Sequence, residues 1–156
     1  MSLRVGIGVD AHAFTEGVPL VLGGVRFDSP RGLAGHSDGD VITHALIDAV
    51  LGAAGLGDIG SLFPSDASTP KGISSLDLLR DAVARVRAAG YAVSNADCVL
   101  IGEEPRIAAR RGELDQTLTS LVGAPVSVRA TTTDRLGFTG RGEGLAAQAV
   151  ALVERA

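Results

Sequence analysis

The order of apolar and polar positions predicts a chain that mixes strands and helices. Residues 3–13 alternate between apolar side chains on one side and glycine or aspartate on the other, and this period of two is typical of a strand. Apolar residues then recur at helical spacing in two segments. These predict one helix that begins near residues 38–40 and ends at Gly55, and a second helix from Ser75 to Gly90.

The segments between and after these elements carry weaker signals. Residues 55–74 are dense in Gly, Pro, Ser and Asp, and so long a loop in a small domain is typical of a functional or mobile segment. Residues 143–156 are rich in alanine, so their composition favours a helix while their alternation permits a strand. The other predictions are a short hairpin at 18–27, a Gly-rich loop at 28–39, strands at 91–102 and 125–133, and a helix at 105–121.

Composition and charge narrow the function classes. The chain has 156 residues, which suits one domain over residues 1–156, and its formal net charge is −4. Because it has no basic run and only 3% aromatic residues, we expect no nucleic acid partner. No apolar run approaches the ~20 residues that span a bilayer. The single cysteine, Cys98, fits a reducing compartment and a place in the core. We therefore expect a soluble cytoplasmic protein without a membrane segment.

Two histidines join an aspartate in a pattern that zinc prefers. Asp10 and His12 are two residues apart on the predicted first strand, so both side chains point to the same face. His44 lies on the second turn of the predicted helix, and three such ligands with an open fourth position are typical of catalytic zinc. Asp48, four residues beyond His44, is placed to orient that imidazole. Taken alone, Asp10 and His12 can also be a capping pair at the end of a strand, and His44 can also be a hydrogen-bonded histidine of the core.

Two further clusters suggest contacts with phosphate groups. His36 and Ser37 precede a predicted helix N-terminus, where backbone N–H groups attract anions. Residues 131–134 end a predicted strand with three threonines and Asp134; hydroxyls can donate to phosphoryl oxygens, and the carboxylate can bind Mg²⁺. In the long loop, Asp58 can hold polyol hydroxyls, although composition alone favours a turn or cap role for it.

Four segments together resemble the methylerythritol cyclodiphosphate synthase family. They read DAHAF from Asp10, GHSDGDVITHALIDAVLGAAGLGDIGSLFP from Gly35, KGISS from Lys71 and TTTDRLGFTGRGEGLA from Thr131. The resemblance runs from about Val5 to the C-terminus, and its HSDGD…H and TTT-acid…GFTGRGEG motifs are specific. It implies an α+β fold with a mixed four-stranded sheet and helices packed on one face, in a homotrimer with its sites between subunits.

The resemblance also implies roles for three groups of residues. The metal ligands would be Asp10, His12 and His44 for Zn²⁺, with Asp134, where the family usually has Glu, for Mg²⁺ or Mn²⁺. The residues that stabilise the transition state would be His36 and Thr132. The substrate-binding residues would be Ser37, Asp58, Ile59, Gly60, Phe63, Asp66, Gly102, Pro105, Arg106, Thr131, Thr133, Phe138 and Arg141.

Two segments depart from the family pattern. A loop that commonly reads FPDTDP is FPSDAS here, from Phe63, and a family AQxPK pattern appears as GEEPR from Gly102. The first segment would close over the methylerythritol part of the substrate, and the second would belong to the cytidine pocket. Their contacts are therefore the part of the resemblance that transfers least directly.

The reaction implied by the resemblance is a cyclisation. A small CDP-linked substrate, 4-diphosphocytidyl-2-C-methyl-D-erythritol 2-phosphate, would close to the 2,4-cyclodiphosphate and release CMP, in the non-mevalonate isoprenoid pathway. Two other classes compete with it. A zinc phosphohydrolase would need a general base, for which Asp58 is the one candidate, and a trimeric prenyl-diphosphate binding module would leave the Asp/His/His set without a purpose.

Overall fold

The computed structural model describes residues 2–156, in which four strands are followed by three helices and then by a mixture of both. The strands are β1 Leu3–Glu16, β2 Leu20–Leu22, β3 Val25–Phe27, β4 Arg31–Leu33, β5 Tyr91–Ile101, β6 Val126–Thr131 and β7 Gly144–Arg155. The helices are α1 Val41–Ala53, α2 Ile59–Leu62, α3 Ser75–Ala88, α4 Arg111–Val122 and α5 Gly137–Gly140, with a short 3₁₀ turn at Ala108–Arg110. This arrangement confirms the α+β prediction.

The main sheet is mixed and has five strands, in the order β4-β1-β7-β5-β6. Strand β7 runs antiparallel to both β1 and β5, and β5 runs parallel to β6. The prediction of four strands is wrong, because the sheet also contains the edge strand β4, which pairs with residues 14–16 of β1. With only three residues, β4 is too short for its alternation to be recognised in a Gly-rich segment.

Helix α1 lies directly against the glycine side of β1. A Cβ atom added to Gly6 would come within 2.0 Å of the carbonyl oxygen of Ala49, and one added to Gly8 within 1.9 Å of that of Ala45. Only glycine permits this approach of helix backbone to strand backbone. The strand therefore presents its apolar side chains away from the helix, and Val5 is 68% exposed.

Most of the predicted elements are confirmed. The hairpin is β2–β3. The alanine-rich C-terminal segment is a strand that pairs with both β1 and β5, and its alternate residues, such as Ala147 and Ala149, are buried. The helix predicted from Pro105 begins only at Arg111, after the 3₁₀ turn. Residues 55–74 contain the four-residue helix α2, and Cys98 is fully buried in the core.

Asp40 joins the hairpin to the first helix. It is fully buried and caps α1, where its carboxylate accepts hydrogen bonds from the backbone N–H and the hydroxyl of Thr43 at 3.1 and 2.7 Å. The same carboxylate accepts from the backbone N–H groups of Gly23 and Gly24 at 2.8 and 2.7 Å. No helix within residues 2–156 has the length and apolar character needed to cross a membrane.

Candidate metal centre and active site

The structure brings the three predicted zinc ligands together. Asp10 and His12 project from β1 toward α1, and His44 projects from the second turn of α1 toward β1. The Nε2 atom of His12 lies 2.8 Å from Oδ2 of Asp10 and 3.2 Å from Nδ1 of His44, and this Nδ1 atom lies 3.1 Å from the same carboxylate oxygen. One oxygen and two nitrogens thus form a compact triangle.

The dimensions of this triangle fit a tetrahedral zinc ion. Zinc bonds of about 2.0–2.1 Å place neighbouring ligand atoms roughly 3.3 Å apart, which is close to the separations of 2.8–3.2 Å found here. The Nδ1–H group of His12 donates to the carbonyl oxygen of Ala34 at 2.7 Å, so Nε2 is the ring nitrogen that faces the other two ligands. The donor set and its geometry therefore suit a metal ion of this kind.

The ligands also shift each other's protonation. Burial opposes ionisation of Asp10, but the neighbouring imidazoles of His12 and His44 prevail and lower the pKa of this carboxyl to about 2. The hydrogen bond to Asp10 raises the pKa of His12 above its ordinary value of 6.5, against the smaller effect of burial. The carboxylate is thus ready to bind a cation at neutral pH, whereas a metal ion has to displace a proton from His12.

The triad opens into a cleft that contains several of the predicted site residues. His36 lies there with its Nε2–H group donating to the carbonyl oxygen of Thr69 at 2.5 Å. Ser37 contacts Nε2 of His44 at 3.0 Å. The other predicted residues that line the cleft are Ile59, Gly60 and Phe63.

Three predicted site residues have local roles within this chain. Asp58 caps α2 and accepts from the backbone N–H of Ser61 at 2.8 Å, and Asp66 accepts from that of Ser68 at 2.8 Å. Both carboxylates are fully exposed. The backbone N–H of Ser61 lowers the pKa of Asp58, and the hydroxyl of Ser68, together with its backbone N–H, lowers the pKa of Asp66. Asp48 accepts from the backbone N–H of Ile59 at 2.8 Å, and no hydrogen bond from Asp48 to His44 is found within residues 2–156.

The orientation of His44 comes from residues that sequence reasoning missed. The Nε2 atom of His44 lies 2.8 Å from the hydroxyl oxygen of Ser75, at the start of α3. Ser75 was predicted only as the first residue of a helix, a position where serine is common and which gives no sign of an inward hydroxyl. Asp38, whose carboxylate accepts a hydrogen bond from the backbone N–H of Ser75, lies in the segment 38–40 where the sequence predicts only the start of a helix.

The residues predicted to bind the nucleotide line a second pocket. Gly102, Pro105, Arg106, Thr131 and Thr132 line it together with Glu103, Arg111 and Arg129. One carboxylate oxygen of Glu103 is buried without a hydrogen-bond partner in residues 2–156. This pocket and the metal-site cleft share no lining residue.

The remaining predicted site residues lie in the turn that follows β6 and on or directly after α5. The hydroxyl of Thr132 contacts Oδ1 of Asp134 at 3.3 Å, whereas that of Thr133 donates to the carbonyl oxygen of Leu136 at 2.6 Å and holds the turn. Phe138 is partly exposed on α5, and Arg141 pairs with Glu143 at 2.5 Å. Arg141 lines a third cleft, which shares Glu103 with the second pocket.

Comparisons with known proteins agree with this geometry. The model of the YgbB family matches residues 3–154. The chain belongs to the YgbB family. It is 54% identical to the 2-C-methyl-D-erythritol 2,4-cyclodiphosphate synthase of Alkalilimnicola ehrlichii, over 98% of this chain and 96% of that protein.

Solved structures of the same kind share the fold. An IspF from Plasmodium falciparum in complex with CDP superposes with a TM-score of 0.85 at 29% identity and covers 99% of this chain and 97% of that one. The bifunctional IspDF of Campylobacter jejuni superposes with a TM-score of 0.95 at 37% identity; 99% of this chain matches 43% of that longer one. The arrangement of strands and helices is therefore that of this family.

Proposed function

We propose that this chain is a 2-C-methyl-D-erythritol 2,4-cyclodiphosphate synthase that cyclises 4-diphosphocytidyl-2-C-methyl-D-erythritol 2-phosphate and releases CMP. The observation that carries the proposal is the triangle of Asp10, His12 and His44 at the mouth of a cleft. It occurs in a chain 54% identical to a synthase of that name over nearly its whole length. The activity belongs to the non-mevalonate isoprenoid pathway and would classify the enzyme as a phosphorus–oxygen lyase.

The reaction is an intramolecular phosphoryl transfer. An oxygen of the 2-phosphate forms a bond to the diphosphate phosphorus next to the erythritol, and the bond from that phosphorus to CMP breaks, so that CMP leaves with the electron pair. The attacking oxygen is already anionic, and no general base is needed. Positioning and charge neutralisation therefore supply most of the acceleration.

The triad would hold Zn²⁺, which when bound supplies Lewis-acid stabilisation of a phosphate oxygen. The Nε2–H group of His36 donates to the carbonyl oxygen of Thr69, which orients the ring. In its doubly protonated form, the ring can also donate from Nδ1 to a phosphate oxygen of the substrate. At the second pocket, the hydroxyl of Thr132 is free to turn from Asp134 to a phosphoryl oxygen. Asp134 would bind the second divalent ion, Mg²⁺ or Mn²⁺, because hard cations prefer oxygen ligands.

The complete site would lie between subunits of a homotrimer. The metal-site cleft and the nucleotide pocket are separate in one chain, so two neighbouring copies are needed to bring the diphosphate near the zinc ligands. The outer face of β1 supplies a surface for this association, because Val5, Ile7 and Val9 are 60–68% exposed there. An apolar strip of this kind is typical of an interface.

The experiment that tests the function is a ³¹P NMR time course with the substrate, Zn²⁺ and Mg²⁺. Two coupled signals of a cyclic diphosphate that grow together with CMP are expected. The His44→Ala variant should lose this activity, whereas Asp81→Ala, a change at an exposed ion pair on α3, should keep it. Inorganic phosphate in place of the cyclic product would support a hydrolase. Unchanged substrate, together with binding of a prenyl diphosphate, would support a prenyl-diphosphate binding module.

The trimer has its own test. Replacing Ile7 with lysine should produce monomers in size-exclusion chromatography with light scattering, and activity should fall with the loss of trimer. The matched control is Val18→Lys, which adds the same charge at an exposed apolar residue outside the strip. If Ile7→Lys stays trimeric, the outer face of β1 is not the interface.

A further inference from the structure

Asp38 and Ser75 form a hydrogen-bonded pair behind the candidate zinc ligand His44. Ser75 is fully buried, and its hydroxyl donates to Oδ1 of Asp38 in a very short hydrogen bond. Its backbone N–H donates to Oδ2 of the same carboxylate at 2.9 Å. The oxygen of that hydroxyl lies 2.8 Å from Nε2 of His44. The carboxylate of Asp38, the hydroxyl of Ser75 and the imidazole of His44 thus form a hydrogen-bonded row.

The direction of the hydrogen bonds in this row follows from the donors available. An ionised carboxylate only accepts, and a serine hydroxyl has a single proton. Because the proton of Ser75 is used on Asp38, its oxygen can only accept from His44, so the imidazole must carry its proton on Nε2. A neutral imidazole has one N–H group, and Nδ1 of His44 is therefore left with a lone pair.

That lone pair is directed at the metal site. Nδ1 of His44 lies 3.1 Å from Oδ2 of Asp10 and 3.2 Å from Nε2 of His12. Ser37, whose hydroxyl lies 3.0 Å from Nε2, can share the same N–H group as a second acceptor. With the proton on Nε2, the Nδ1 lone pair faces Oδ2 of Asp10 and Nε2 of His12, so a metal ion, or a proton on His12, has to lie between these three atoms.

We propose that Asp38 and Ser75 are positioning residues that fix the tautomer and ring orientation of His44 for metal binding. The inference deepens the proposed function and rests on it in so far as His44 is a zinc ligand. Acting through Ser75, Asp38 takes the role that Asp48 was expected to have. It also ties the N-terminus of α3 to the metal site, because the backbone and the side chain of Ser75 bind the same carboxylate.

The first test measures zinc affinity by competition with a chromogenic chelator. Removing a group that orients a metal-bound histidine typically weakens metal binding by roughly 10- to 100-fold, and we expect that loss for Ser75→Ala. Ser75→Thr keeps the hydroxyl and should recover most of the affinity. The matched control is Ser74→Ala, the same substitution one residue earlier, where the side chain is exposed and makes no cap hydrogen bond. A zinc affinity of Ser75→Ala within twofold of the parent would overturn the proposal.

The second test reads the tautomer directly and needs neither zinc nor turnover. Long-range ¹H–¹⁵N NMR spectra of the zinc-free protein, at a pH where its histidines are neutral, should show His44 with its proton on Nε2. A proton on Nδ1 in the parent protein would overturn the proposal, even if Ser75→Ala fails to fold. If the tautomer and affinity results are as expected but no cyclic product forms, the proposed reaction fails while the positioning role stands.

Discussion

The substitution Gly8→Ala tests how the packing of α1 on β1 builds the metal site. The added Cβ atom would lie 1.9 Å from the carbonyl oxygen of Ala45, and ordinary contacts begin at about 3.4 Å. The obstacle is helix backbone, which has no rotamer to change, so strand and helix have to separate by about 1.5 Å. His44 precedes Ala45 on α1, whereas Asp10 lies on β1, so this movement pulls the ligands apart.

The expected loss in the free energy of unfolding is at the upper end of the range for an overpacked core. Inserting a methyl group into a well-packed core costs about 1–3 kcal/mol. Because this methyl group meets helix backbone and not a movable side chain, we expect a cost of about 3 kcal/mol. In a domain of this size that corresponds to a fall of roughly 6–12 °C in the midpoint of thermal unfolding. The ligand atoms of the triad are only 2.8–3.2 Å apart, so a shift of about half that separation should also weaken zinc binding at least tenfold.

The assay is thermal unfolding of the zinc-free protein at one protein concentration, together with zinc affinity by chelator competition. The matched control is Gly52→Ala on the same helix, where the added Cβ atom would meet one backbone oxygen at 3.9 Å. Alanine favours a helix over glycine by about 1 kcal/mol, so this control should be neutral or stabilising. A Gly8→Ala variant with the unfolding midpoint and zinc affinity of the parent would refute the reasoning.

Three further predictions follow from the same contacts. Asp40→Ala should lower the free energy of unfolding in urea by about 3 kcal/mol or more, because buried backbone donors lose their acceptor; a loss below 1 kcal/mol would contradict this. In the zinc-free protein, the pair of charged His12 with Asp10 stabilises fully below pH 6.5, and this contribution is lost as the pH rises through the raised pKa of His12. Thermal unfolding from pH 6 to pH 9 should show this decline, and His12→Gln should remove it. Asp134→Asn keeps a residue that tolerates the positive φ of 52° but removes the charge, so activity should need at least tenfold more Mg²⁺; an unchanged Mg²⁺ dependence would exclude Asp134 as a ligand.

The cluster of Asp10, His12 and His44 was predictable because these residues lie on only two elements, β1 and α1. Asp10 and His12 share a strand face through the period of two, and the position of His44 follows from the start of the helix. The contact expected from Asp48 was not predictable in the same way. Spacing along a helix places Asp48 near His44, but the carboxylate of Asp48 accepts a hydrogen bond from the backbone N–H of Ile59, at the start of α2.

Polar residues in loops were the least predictable part of the candidate site. Asp58 and Thr133 have the same side-chain chemistry whether they bind a substrate or hold a turn, and in this chain both bind nearby groups of their own loops. Ser75 shows the opposite case. Its position at a helix start suggested a local role, but the approach of α3 to α1 directs its hydroxyl to His44. Composition cannot distinguish these outcomes, because a hydroxyl or carboxylate binds whichever partner the fold brings near.

By itself the sequence determined the α+β class, most strands and helices, the residues of the candidate metal site and the family, because each depends on local periodicity or on motifs that are read directly. The tertiary structure decided three things that depend on contacts between distant segments. The close packing of α1 on Gly6 and Gly8 leaves the apolar side of β1 exposed. The edge strand β4 forms only by pairing with β1. The tautomer of His44 depends on a carboxylate and a hydroxyl that lie 37 residues apart in the chain, since a hydrogen bond forms between neighbours in space.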